Sequence, residues 1–205
     1  LLGLVSPRTL QESDEKEELE EYEKNLNRDK SKIYFKRTVL AAEIVTQLRE
    51  ERTFGRVKFQ KLVYLCENVA EMKLADRYKK LAAGPFDNKF MHSIDKEFKK
   101  QKWFNVVKVQ NGDYNVSKYL PLENSEGYRS YYASYFSEYD EHIQFIIELF
   151  RRKKTEETEL AATVFACIFE LINDEKTIKW NALFNVFYNW HDKKKRFTQN
   201  QIIGS

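Results

Sequence analysis

Glycine, proline, cysteine and histidine are all scarce in this chain of 205 residues, with 6, 3, 2 and 3 copies. So few chain breakers argue against a turn-rich all-β sandwich and leave room for long helices. The two cysteines, Cys66 and Cys167, each sit inside a helical apolar pattern, so buried free thiols in a reducing cytoplasm are expected rather than a disulfide framework. There is no CxxC and no Cys/His cluster. His92, His142 and His191 fall on different segments without shared spacing, so no metal site is expected. No apolar run approaches the roughly 20 residues that cross a bilayer, and the opening LLGLVS is too short for a signal peptide and has no basic region. Walker A, GxGxxG, GxSxG and HExxH are all missing, so neither a catalytic residue, a cofactor nor a small-molecule substrate is expected.

Apolar residues make up 42% of the chain and aromatics 15%, with 15 Phe and 12 Tyr, enough for a core of ordinary size. Charge is uneven. Residues 1–30 carry nine acids against five bases, which leaves a net +7 on residues 31–205 out of an overall +3. A mildly basic body behind an acidic leader suits an anionic partner without requiring one.

The periodicity predicts a mainly α protein: a winged-helix-like helical module with one β-hairpin over 31–122, then an all-helical part over 123–205 packed on it. Residues 1–30 read as an acidic linker or marginal helix, with a thin seam at Leu19, Tyr22 and Leu26. A first helix carries Leu40, Ile44 and Leu48. In a second helix Phe59, Leu62, Val63, Cys66, Val69 and Ala70 share one face, and Lys58, Lys61, Glu67 and Glu71 take the other. Gly84-Pro85 marks a boundary, since proline does not continue a helix. A third helix is predicted from about Asn88 to Lys102, capped by Asp87 or Asn88, with Phe90, Met91, Ile94 and Phe98 inward. The period then becomes two: FNVVKV and YNVSKYL flank Asn111-Gly112, a strong hairpin signal. Beyond Tyr128, Ile143, Ile146, Ile147 and Phe150 face inward on one helix. TELAATVFACIFELIND is apolar nearly all round, which predicts the most buried helix. Ile178, Leu183, Val186, Phe187 and Trp190 line another, and a last helix starts at Thr198 and stops after a turn. The missing initiator Met and this short final turn are expected of a piece of a longer protein.

The one cluster that could act on a partner is cationic. Lys89, Lys96, Lys99, Lys100 and Lys102 lie on the third helix, and Lys108 and Lys118 on the hairpin. In a winged-helix arrangement these seven would contact phosphate on double-stranded DNA. Against this stand Asp87, Asp95 and Glu97 on the same helix, and the lack of Arg, Asn or Gln suited to base edges. Trp103-Phe104 is expected in the core, and the run DKKKRF (192–197) is expected to serve the end of the preceding helix.

Three blocks together resemble a C-terminal module of bacterial type I restriction-modification enzyme subunits: YFKRTVLAAEIVTQLREERTFGRVKFQKLVYLCE, AGPFDNKFMHSIDKEFKKQKWF, and a final W…KKKRFT. The motor/endonuclease subunit is favoured, with the specificity subunit as the other choice. KFQKLVYLCE followed by AGPFD is also similar, more distantly, to the Panacea antitoxin domain. The resemblance implies a cytoplasmic, non-catalytic appendage of an ATP-dependent DNA-cleaving machine, docking on other subunits of the complex. None of the parent's nuclease, Walker or helicase motifs occurs here. Two further readings stand beside it: a DNA-contacting winged-helix-like module, and an antitoxin-like protein-binding domain.

Overall fold

The computed structural model of the chain describes residues 7–111 and 114–205. It is mainly helical with two small antiparallel hairpins. The chain divides into two compact units, one ending at Arg37 and the other spanning Thr38–Ser205. Helix α1 (Pro7–Leu48) begins in the first, so the acidic stretch from Pro7 onward is helical. Residues 38–122 of the predicted first module and the C-terminal helices fall in the second unit, while residues 31–37 fall in the first.

Within that second unit α2 (Arg56–Val69) is central. It packs on β2 (Gly84–Phe86), α5 (Asp140–Phe150) and α6 (Thr155–Asn173). Every residue from Lys58 to Glu67 is buried. This makes α2 the enclosed helix, a position the sequence assigns to α6. On α6 one face is covered, but Phe169 and Ile172 are 37% and 52% exposed. Its apolar composition exceeds what its neighbours cover.

Between α2 and α3 (Asn88–Lys100) lies a hairpin that the sequence pattern does not announce. Strand β1 (Lys79–Leu81) pairs with β2 so that Leu81 faces Gly84 across the two-residue Ala82-Ala83 turn. Pro85 thus sits in a short edge strand, where proline's missing donor is tolerated. Helix α3 starts as predicted: Asp87 accepts from the Phe90 N–H at 3.0 Å. Its apolar stripe of Phe90, Met91, Ile94 and Phe98 is buried. The helix stops two residues early. Lys102 takes a left-handed φ of 58°, Trp103 N–H donates to Phe98 O at 2.9 Å and Lys102 N–H to Lys99 O at 3.1 Å. That is a Schellman closure, with lysine where glycine is usual.

The second hairpin pairs β3 (Phe104–Asn111) with β4 (Tyr114–Pro121), from Phe104 opposite Pro121 to Asn111 opposite Tyr114. Gly112, half of the predicted turn, lies outside the described residues. Aromatic side chains join these elements: Phe59 meets Tyr119 at 5.3 Å between ring centroids, Phe98 meets Phe104 at 5.5 Å and Trp103 meets Tyr128 at 5.9 Å. Trp103 and Phe104 are both buried, as expected of core anchors. Such rings each contribute on the order of 2–3 kcal/mol by leaving water. Helices α4 (Arg129–Phe136), α7 (Trp180–Tyr188) and α8 (Gln199–Ile203) complete the unit, with a 3-10 turn at Asp192–Arg196. Thr198 and Gln201 form a reciprocal cap on α8. A buried carboxylate ties α1 to the later helices: Glu43 accepts from Tyr128 Oη at 2.6 Å and Gln144 Nε2 at 2.9 Å. No helix is long and apolar enough to cross a membrane among the described residues.

Candidate functional site

The lysines of α2 are not on a solvent face. Lys58, Lys61 and Glu67 are almost fully buried, against the amphipathic assignment. Lys58 Nζ donates to Thr53 Oγ1 at 2.8 Å, Arg151 O at 3.0 Å and Lys153 O at 2.7 Å, pinning the α5–α6 loop. Lys61 Nζ donates to Pro85 O at 2.7 Å, and Gln60 Nε2 reaches the same carbonyl at 3.3 Å. Beneath them Lys194 Nζ donates to Glu159 Oε1 at 2.8 Å and Thr163 Oγ1 at 3.0 Å. Burial pulls the Lys61 amine down to about 7, helped by the like charge of Lys194 and opposed by Glu159. Burial also lowers Lys58 to about 8, with Glu51 and Glu157 pulling the other way. Gly84 makes the close approach possible. Its φ is +91°, and a Cβ there would stand 2.6 Å from Thr163 Oγ1. The Lys-x-x-Lys helix and the Gly-Pro step are therefore one internal clamp. Its amines are spent on backbone carbonyls, threonine hydroxyls and a carboxylate, which hold the fold together.

The run 192–197 is part of that clamp. Lys194 is buried, Arg196 Nη2 meets Glu159 at 3.3 Å, and Lys195 pairs with Asp192 at 2.8 Å. The thiols are internal too: burial raises Cys66 strongly, and Cys167 to about 12. His92, His142 and His191 are exposed and on separate elements. No group of three metal-binding side chains occurs among the described residues.

The outer face of α3 differs. Lys89, Lys96, Lys99 and Lys100 are exposed, with His92 between them. At 3.6 residues per turn, Lys96 lies diametrically opposite the buried stripe, and Lys89 and Lys99 flank that crest. Each of the three acids of the segment has a partner. Asp87 caps the helix. Asp95 pairs with Arg56 at 2.6 Å, and Glu97 accepts from Gln101 at 2.7 Å and pairs with Lys100 at 3.4 Å. Lys102 pairs with Glu123 at 2.9 Å. Lys89, Lys96 and Lys99 have no ion-pair partner among the described residues. The two hairpin lysines do not join one surface. Lys108 lies opposite Ser117 and Lys118 opposite Val107, so the register puts them on opposite faces of the ribbon.

A further open surface is apolar. Ile168 of α6, Ile178 and Trp180 at the start of α7, and Ile203 of α8 line a groove of about 560 Å³. Ile178, Trp180 and Ile203 are 51%, 53% and 49% exposed, so Ile178 is not inward as its period suggested. Elsewhere on α6 Phe165 stacks on Phe169 at 6.1 Å, and Phe165 also meets Tyr64 of α2 at 6.1 Å. Nothing in the sequence marked this groove, because its residues come from three helices. No protein-family model matches the chain, and no curated protein matches it.

Proposed function

We propose that the chain is a non-catalytic docking domain that joins subunits of a type I restriction-modification complex. The carrying observation is the groove between α6, α7 and α8. Large apolar side chains at half exposure, Trp180 among them, form one continuous patch. Such patches are costly to leave in water and are a feature of protein contact sites. Tryptophan is also among the residue types enriched at interface hot spots. Phe145 and Leu149 on α5, 63% and 48% exposed, offer a smaller second patch. The assignment to a restriction complex rests on the resemblance of the three blocks YFKRTVLAAEIVTQLREERTFGRVKFQKLVYLCE, AGPFDNKFMHSIDKEFKKQKWF and W…KKKRFT taken together. The clamp geometry supports a scaffold role for those residues rather than chemistry.

The test is capture of a methylase–specificity core by the immobilised chain. Retention of the core is expected, with Trp180→Glu weakening it by about 30-fold or more, the size of a hot-spot loss. Trp180 also stacks on Phe184 at 6.0 Å, so the unfolding midpoint of the variant is measured alongside, and Phe145→Glu on the second patch serves as a control for a surface charge. Recovery of no core protein, or equal capture by the variant, refutes this reading.

A further inference from the structure

We infer that the outer face of α3 binds the phosphate backbone of duplex DNA without reading its sequence. This inference is independent of the docking groove and uses different residues.

A helix with three carboxylates among its lysines has a weak net field if all project outward together. Here they do not. Asp87 turns into the N-terminal cap and is 5% exposed, Asp95 turns to Arg56, and Glu97 lies against Gln101 with its side chain 13% exposed. The crest opposite the core is left to Lys89, Lys96 and Lys99, with Lys100 beside them. These ammonium groups are spread along about 15 Å of helix axis at 1.5 Å per residue. Duplex DNA presents a charge about every 1.7 Å of its axis, so a rod of this length meets several phosphates at once. Lys99 and Lys100 also sit in the last turn of α3, where the helix dipole favours cations.

Sequence reading is not part of this surface. The crest holds no Arg, Asn or Gln able to form paired hydrogen bonds to a base edge. Ser93, the hydroxyl nearest the crest, is bound to the carbonyls of Lys89 and Phe90, each at 3.0 Å. Lysines without such groups fix position and affinity and carry no sequence information. The hairpin adds one lysine at most, because Lys108 and Lys118 face opposite ways.

The experiment is fluorescence anisotropy of labelled duplexes of unrelated sequence, titrated with the chain at salt concentrations from about 50 to about 200 mM, a roughly fourfold range. Equal affinity for the duplexes is expected, with log K falling against log salt at a slope near −3, from roughly 0.9 per lysine. The triple change Lys89→Gln, Lys96→Gln, Lys99→Gln abolishes that slope, and each single change reduces it by about one. All three side chains are exposed, so folding is checked simply by an unchanged melting curve. Lys102→Gln, whose lysine is already paired with Glu123, leaves the slope unchanged. An affinity indifferent to salt, an unchanged slope in the triple variant, or binding of polyglutamate with none of duplex overturns the proposal. Trp180→Glu leaves duplex binding intact, which separates this surface from the docking groove.

Discussion

The carboxylate of Asp95 turns to Arg56, 2.6 Å away on α2, and not to the lysines beside it on α3. The same guanidinium reaches Tyr119 Oη at 3.3 Å and the Met91 carbonyl, so one arginine links α2, α3 and β4. It also removes an acid from the cationic face. Structure and surface charge are thus set by one contact.

Replacing Arg56 by Met removes all three contacts, whereas Asp95→Asn removes one ionic partner and keeps the other two. Arg56→Met is expected to lower stability by about 1–3 kcal/mol and Asp95→Asn by less than about 1 kcal/mol. Urea unfolding of the two variants measures the difference. Equal losses would show that the ion pair alone carries the link.

The buried amine of Lys61 makes stability depend on pH. Its folded pKa of about 7 lies below the unfolded value of about 10.4, so between these limits the unfolded chain holds the extra proton. Stability therefore rises as pH rises from about 7 to about 10, by up to about 1.4 kcal/mol per pH unit, and the penalty is fully present below 7. Lys58 adds a slope of the same sign from about 8 upward. Lys61→Met is expected to flatten part of this rise and to be at least as stable as the parent at pH 7. Denaturant midpoints from pH 6 to 10, on a scale of about one unit per step, provide the check. A variant that keeps the full slope contradicts the assignment to Lys61.

Gly84→Ala is expected to destabilise by about 2 kcal/mol or more, from the left-handed φ and from the contact with Thr163. The loss is smaller in a Thr163→Ala background, where the opposing oxygen is gone. A double-mutant cycle measures that coupling. Strict additivity would assign the whole cost to φ.

Much of the fold was visible in local pattern. The Asp87 cap, the inward stripe of Phe90, Met91, Ile94 and Phe98, and the alternation on either side of Asn111 all led to the elements observed. These features depend on neighbours within a turn or two of the chain. The β1–β2 hairpin was not visible, because three-residue strands with Lys79, Lys80 and Leu81 all exposed carry no alternation. Lys58 was misplaced for a different reason. Its acceptors Arg151 O and Lys153 O lie 93 and 95 residues further along the chain, beyond anything helical spacing records.

The sequence by itself determined most of the helices, the long hairpin and the apolar stripe of α3, since these follow from backbone preference and a fixed period. Only the tertiary structure decided what each lysine does. Lys58, Lys61 and Lys194 went inside, while Lys89, Lys96 and Lys99 stayed in water. The residue type is the same in both groups. The difference is whether folding brings a carbonyl or carboxylate to within about 3 Å of the amine, the reach of a hydrogen bond that offsets desolvation. The acids of α3 are partnered too, Asp95 by Arg56 of α2, Asp87 by the helix N-terminus and Glu97 by Gln101 and Lys100, and Lys89, Lys96 and Lys99 are left as an open cationic surface.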